Sequence, residues 1–318
     1  MKNHFATITI LLLVIAAHAQ TRPGVRAHHE LVYDEENEAI LLTAGSTPLD
    51  SNGSSYEMYN DIWRFDGKTW TSSGTAGDRR SGIRMAWDSK RNKLFSFGGW
   101  FNGNSLSDLR MMENGEWKTL SNNPEMKAAE PGFVYDESRD RLIAFGGSAG
   151  RGLAQDVTWE WDRSSWKKFS GRGPAGRQGF VMVYDSKRKK TVLFGGSDGS
   201  GKRLSDVWEF DGTKWDSISF TGDNPGPRIS PGSAYDSKRG LLILFGGISA
   251  NGMQSDTWSW NGKEWKQLAT TGPSKRVMGY IAYDKKRDRI VLFGGRKGWP
   301  NDANDTWEWN GSEWKEIK

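Results

Sequence analysis

Arginine returns to one fixed place along this chain. Arg26, Arg80, Arg177, Arg228 and Arg276 each stand eight residues before the aspartate of an aromatic-Asp pair (Tyr33-Asp34, Trp87-Asp88, Tyr184-Asp185, Tyr235-Asp236, Tyr283-Asp284). A sixth copy of the pattern carries Ala128, with Lys127 beside it. Guanidinium forks match carboxylate, sulfate and phosphate oxygens two at a time, so such a set gathered in one place predicts an anion-binding site. The competing expectation is that each arginine bonds a nearby loop carbonyl or acid. Three aromatic residues, Tyr56, Trp100 and Trp299, fall outside the repeating tryptophan pattern, in segments that read as loops beside these arginines. Rings on loop tips have no core to fill, and their flat faces suit sugars and other ligands. Glu30 and Glu130 lie near the same arginines and have acid-base capacity, but they occupy different positions in their repeats and no spacing pairs them. Ion-paired, structural glutamates are the competing reading, and no residue is assigned a catalytic role. Beyond residue 19 the only histidines are His28 and His29, and the chain has no cysteine. Neighbouring residues of a strand point to opposite faces, which is poor geometry for a metal. No metal and no cofactor is expected.

The elements that must hold these residues repeat six times. An apolar run ends in Thr43-Ala44-Gly45, Phe97-Gly98-Gly99, Phe145-Gly146-Gly147, Phe194-Gly195-Gly196, Phe245-Gly246-Gly247 and Phe293-Gly294-Gly295, and each copy closes on a tryptophan: Trp70, Trp117, Trp166, Trp215, Trp265 and Trp314. In the fifth copy, Leu241 to Phe245 is apolar throughout, which predicts a strand covered on both faces. Asp256, Trp258 and Trp260 alternate along a third strand, Asn261-Gly262 marks a tight hairpin, and Trp265 opens a fourth. The turns on the opposite side read Ser89-Lys90-Arg91, Ser186-Lys187-Arg188, Ser237-Lys238-Arg239 and Lys285-Lys286-Arg287, good turn chemistry for soluble hairpin ends.

A repeat of about fifty residues with a diglycine and paired aromatics resembles the kelch motif. The resemblance implies an all-β fold, a six-bladed β-propeller of four-stranded blades. Its domain spans 20-318, with blades at approximately 22-72, 73-120, 121-170, 171-219, 220-269 and 270-318. Gln20 to Val25, broken by Pro23, is too poor a strand to complete the last blade, so closure without strand exchange is expected. Propeller geometry would ring the arginines around one mouth of the channel, with Tyr56, Trp100 and Trp299 in an arc above blades six, one and two. Galactose oxidase has kelch-type blades, but its copper site needs a cysteine-linked tyrosine, which this chain lacks. The sialic-acid epimerases share the architecture and handle an acidic sugar without metal, though no motif specific to them is present.

Residues 1-19 read as a signal peptide: Lys2 is the positive region, Phe5 to Ala17 is apolar, and Ala17-His18-Ala19 is a cleavage site. Export to a periplasm or the medium is therefore expected. Without disulfides, stability must come from burial, and seventeen tryptophans supply much of it. A net charge of +5 on 318 residues is too mild to imply nucleic-acid binding. These features together lead to the expectation of an exported, monomeric propeller without a membrane span. It acts as a binding module for a carbohydrate or another anionic ligand. The alternatives are a metal-independent acidic-sugar epimerase or mutarotase, and a protein-protein interaction scaffold that takes an acidic segment.

Overall fold

The computed structural model describes residues 21–150 and 153–318. The expected signal peptide lies outside the described residues. Six antiparallel four-stranded sheets follow one another along the chain as the blades of a propeller. Blade one runs Glu30–Asp34, Ala39–Thr43, Asp61–Phe65 and Trp70–Thr75 from channel to rim, and blade six runs Tyr280–Asp284, Arg289–Phe293, Thr306–Trp309 and Trp314–Ile317. The second strand of each blade is the apolar run, and it is almost wholly buried because neighbouring blades cover both its faces.

Every blade is continuous in sequence, so the ring closes by face packing and exchanges no strand. The closing joint repeats the ordinary one. Trp215 Nε1 donates to Thr158 Oγ1 of the preceding blade at 2.9 Å, and Trp314 does the same to Thr257 at 2.8 Å. Across the seam, Trp70 of blade one donates to Thr306 of blade six at 2.9 Å and packs edge-on against Phe293. The departures from the repeat are absorbed locally: Arg163 takes the left-handed conformation (φ 81°) that glycine adopts in the other outer hairpins.

The basic turns of the lower face are tied down between blades. Arg91 forks onto Asp140 of the next blade at 2.9 and 2.8 Å, Arg239 onto Asp288 at 2.6 and 3.0 Å, and Lys285 and Lys286 meet Glu35 and Glu38 across the seam. Opposite them, the connections from second to third strand carry small two-stranded ribbons, including Ser46–Pro48 with Tyr56–Met58 and Trp100–Phe101 with Asn104–Ser105. These ribbons build the upper mouth.

Candidate site at the channel mouth

The arginine column supplies its own counter-ions. Each guanidinium forks onto the aspartate that opens the third strand of its blade: Arg26 onto Asp61 (2.6 and 2.7 Å), Arg80 onto Asp108 (2.6 and 2.8 Å), Arg177 onto Asp206 (2.7 and 2.9 Å), Arg228 onto Asp256 (2.8 and 3.1 Å) and Arg276 onto Asp305 (2.6 and 2.9 Å). The same Nη1 also donates to the carbonyl of Ala44, Gly98, Gly195, Gly246 or Gly294 where the apolar run ends. All five arginines are buried. One side chain thus ties the entry of the first strand, the glycine exit of the second and the start of the third, meeting both carbonyl and acid. The aspartates take a further bond from the tryptophan two residues on, as Trp63 Nε1 does to Asp61 at 2.6 Å. Burial works against the charge on Asp61, but the Arg26 bonds outweigh it and hold the carboxyl below its usual range. In blade two, Arg110 replaces that tryptophan and bonds Asp78 at 2.6 Å, so Arg80, Arg110, Asp78 and Asp108 form a neutral four-member cluster.

Two residues beyond the arginine column the chain turns sharply. His28, Gly82, Glu130, Gly179, Ser230 and Met278 all adopt left-handed backbone, with φ of 54°, 64°, 51°, 62°, 51° and 56°. Their backbones link head to tail around the mouth: Gly82 N–H to His28 O (2.8 Å), Glu130 N–H to Gly82 O (2.8 Å), Ser230 N–H to Gly179 O (2.6 Å) and Met278 N–H to Ser230 O (3.0 Å). Such a conformation is costly for residues other than glycine and tends to persist where function requires it. Glu130 and His28 use it to meet above Gly82, with Oε1 and Nδ1 2.8 Å apart.

Two residues further on, the first strands contribute Glu30, Arg84, Gly132, Val181, Gly232 and Tyr280. The polar three belong to contiguous blades six, one and two. Tyr280 donates its hydroxyl to Glu130 Oε1 at 2.9 Å, and Arg84 donates from Nη2 to the Tyr280 oxygen at 2.9 Å and from Nη1 to Glu30 Oε2 at 3.2 Å. A chain of five side chains, His28–Glu130–Tyr280–Arg84–Glu30, therefore floors the mouth. Its two carboxyls behave oppositely. Burial pushes Glu30 up to about 8, with Glu130 adding to the rise against the pull of Arg84. Burial also opposes charge on Glu130, but His28, Arg84 and Tyr280 outweigh it and bring that carboxyl down to about 2. Tyr280 and Arg84 stand between the two carboxyls, so one hydrogen-bonded chain carries a carboxyl biased to its charged form at one point and one biased to its neutral form at its end.

A pocket of about 270 Å³ opens above this floor, lined by His28, Glu130, Tyr56, Trp100 and the small residues Ser46, Ser81, Gly82, Ala129 and Ser148. Tyr56 and Trp100 form its aromatic wall. Trp299 lies outside this lining: it packs edge-on to Tyr56 with centroids 6.5 Å apart, donates Nε1 to Ser51 O at 2.7 Å and sits over Gly53. Only glycine fits there, since a β-carbon would come within 2.6 Å of the indole. Tyr59 is packing: Arg26 covers its ring at 3.9 Å and burial pushes its hydroxyl up to about 12. The structure thus brings Tyr56, Trp100, Glu130 and His28 together, keeps Trp299 as support, and turns the five arginines into the blades. Arg84 and Tyr280 escaped the sequence reading, which weighed His28 only as a metal ligand. The only signal of all three was being charged or polar where equivalent repeats carry glycine, serine, valine or methionine.

Residues 132–318 match the family model described as the KLHDC2/KLHL20/DRC7 Kelch-repeats domain. The chain belongs to this Kelch-repeat family. Among curated proteins, none matches it. The matched segment covers blades three to six of the Kelch propeller, and the same blade plan continues through blades one and two. No helix among the described residues is long and apolar enough to cross a membrane, and those residues hold no cluster of three or more metal-ligating side chains.

Proposed function

We propose that this Kelch propeller, an interaction module by family, binds a carbohydrate in the upper pocket, with Tyr56 and Trp100 stacking on the sugar and Glu130 and His28 bonding its hydroxyls. The observation that carries the reading is the pairing of an aromatic wall with a fixed hydrogen-bonding floor. Because the arginine column is neutralised inside each blade, a neutral sugar suits the pocket better than an anion. A longer glycan or a protein partner has further surface to use. Five of the six large apolar side chains exposed among the described residues, Val25, Leu49, Tyr56, Leu153 and Trp299, belong to this upper face. An array of neutral and acidic glycans tests the reading: neutral hits that disappear in Tyr56→Ala and Trp100→Ala support it, and hits that survive both substitutions oppose it.

The Glu130 carboxylate, which lines the upper pocket beside His28, favours a second reading, acid-base chemistry on the bound sugar, as in an epimerase or mutarotase. Following the anomers of each binding sugar by NMR separates the two: accelerated interconversion lost in Glu130→Gln favours the enzyme, and unchanged rates favour the module. Export belongs to the same proposal and rests on the leader features of residues 1-19. A mature N-terminus at Gln20, read by mass spectrometry, is the expected result.

A further inference from the structure

Below the polar floor the channel is a separate cavity of about 280 Å³. It reaches down to the lower turns, where Glu35, Ser89 and Lys285 border it, so its entrance lies on the face opposite the ribbons. One side of its upper end carries Glu30, Arg84 and Tyr280, while the other is apolar, bordered by Phe180, Val181 and Met182, with Phe180 and Met182 packed against Gly132. Near the entrance each first strand borders it with one aromatic residue, Tyr33, Trp87, Tyr135, Tyr184, Tyr235 and Tyr283, whose rings also pack into the cores between blades.

Arg84 differs from the five blade arginines. Theirs are two-pronged pairs, both aspartate oxygens engaged; Arg84 meets Glu30 through one oxygen at 3.2 Å and spends its other prong on the neutral Tyr280 hydroxyl. Nη1 also donates to the Ile83 carbonyl at 3.0 Å, so of the five N–H groups of this cavity-lining guanidinium the Nε–H and one Nη2–H, which form a fork suited to a planar, two-oxygen acceptor, are unfilled. We propose that the channel is a second binding site, entered from the lower face, for a small carboxylate bearing an apolar group about the size of a phenyl ring. The carboxylate forks onto Arg84 and the apolar group lies among the aromatic rings. Glu30 does not oppose this as a second anion would, because burial already holds it toward its neutral form. Size agrees: a cavity of about 150 Å³ accommodates benzene, and this one is larger.

The test titrates the full chain with benzoate, benzyl alcohol and benzylamine, followed by ligand-observed NMR. Benzoate is expected to saturate, with the alcohol and the amine at least about tenfold weaker, since only the anion uses the fork. Arg84→Gln is expected to weaken benzoate at least about tenfold, and Trp100→Ala, which lies in the upper pocket, to leave it unchanged. Equal affinity for the three probes, or no saturable benzoate binding, overturns the proposal on the wild-type chain alone, whatever the folding of the Arg84 variant. Benzoate binding that survives Arg84→Gln, or disappears in Trp100→Ala, overturns it as well. Neither result bears on sugar binding above the floor.

Discussion

Glu130 and His28 occupy equivalent positions two blades apart, and their side chains meet at 2.8 Å above Gly82, the equivalent residue of the blade between them. The contact exists because that middle position has no side chain. A β-carbon on Gly82 would lie 3.1 Å from Glu130 Cγ, and its φ of 64° disfavours any other residue. Gly82→Val is therefore expected to separate the pair, costing about 1–3 kcal/mol for the backbone strain and weakening sugar binding beyond that. Urea denaturation with binding measured on the folded fraction checks both effects.

Stability should turn on the arginine clamps. Asp305→Ala leaves Arg276 buried with only neutral partners, the Ser274 and Gly294 carbonyls and the Ser274 hydroxyl, and removing one member of a buried pair costs about 3–5 kcal/mol. Asp305→Asn, which keeps one acceptor, should lose less. Denaturant midpoints for the two variants give the comparison. A loss under about 1 kcal/mol in the alanine variant would mean the clamps carry little.

The ring closure predicts a milder effect. Trp70→Phe keeps an aromatic ring against Phe293 but removes the bond to Thr306, an expected loss of about 1 kcal/mol, larger if Thr306 is left without a partner. The same substitution at Trp314 removes the bond to Thr257 inside the ring and should cost about as much, because the seam is an ordinary joint. Thermal melts of both variants test this equivalence.

The pH profile follows from three buried groups. Glu30 is raised from 4.5 to about 8, so its contribution is complete below pH 4.5 and is lost as pH rises through about 8. Glu130 is lowered to about 2, so its contribution is present above pH 4.5 and is lost as pH falls toward 2. His29, held well below 6.5 by burial and by Arg26 and His28, likewise contributes above pH 6.5 and loses that contribution on acidification. Glu30→Gln should flatten the alkaline limb of the urea midpoint against pH and leave the acid limb in place. An unchanged alkaline limb would show that Glu30 is not the group being titrated.

The propeller was legible in the chain because its determinants are local and repeated: diglycines after apolar runs, alternating Asp-x-Trp, and Asn-Gly turns. The arginine column was equally visible, but its meaning was not. Arg177 and Asp206 are far apart in sequence, and reading them as one joint requires noticing that both columns belong to the same blade. In blade two, Arg110 hides the aspartate's usual tryptophan partner. The floor was the least legible part. Glu30, Arg84, Glu130 and Tyr280 come from four blades, and only ring closure brings blade six beside blade one. Among the loop aromatics, sequence could not tell Trp100, which lines the pocket, from Trp299, which Gly53 and Ser51 hold in place.

The decisive measurement is calorimetric titration of a neutral oligosaccharide from the array into the wild-type chain and into Trp100→Ala, each at low and high salt. Binding through stacking and neutral hydrogen bonds predicts wild-type affinity that barely changes with salt and falls at least about tenfold in Trp100→Ala. Affinity that the substitution leaves intact, or that is confined to acidic glycans and collapses with salt, would contradict a sugar site in the upper pocket.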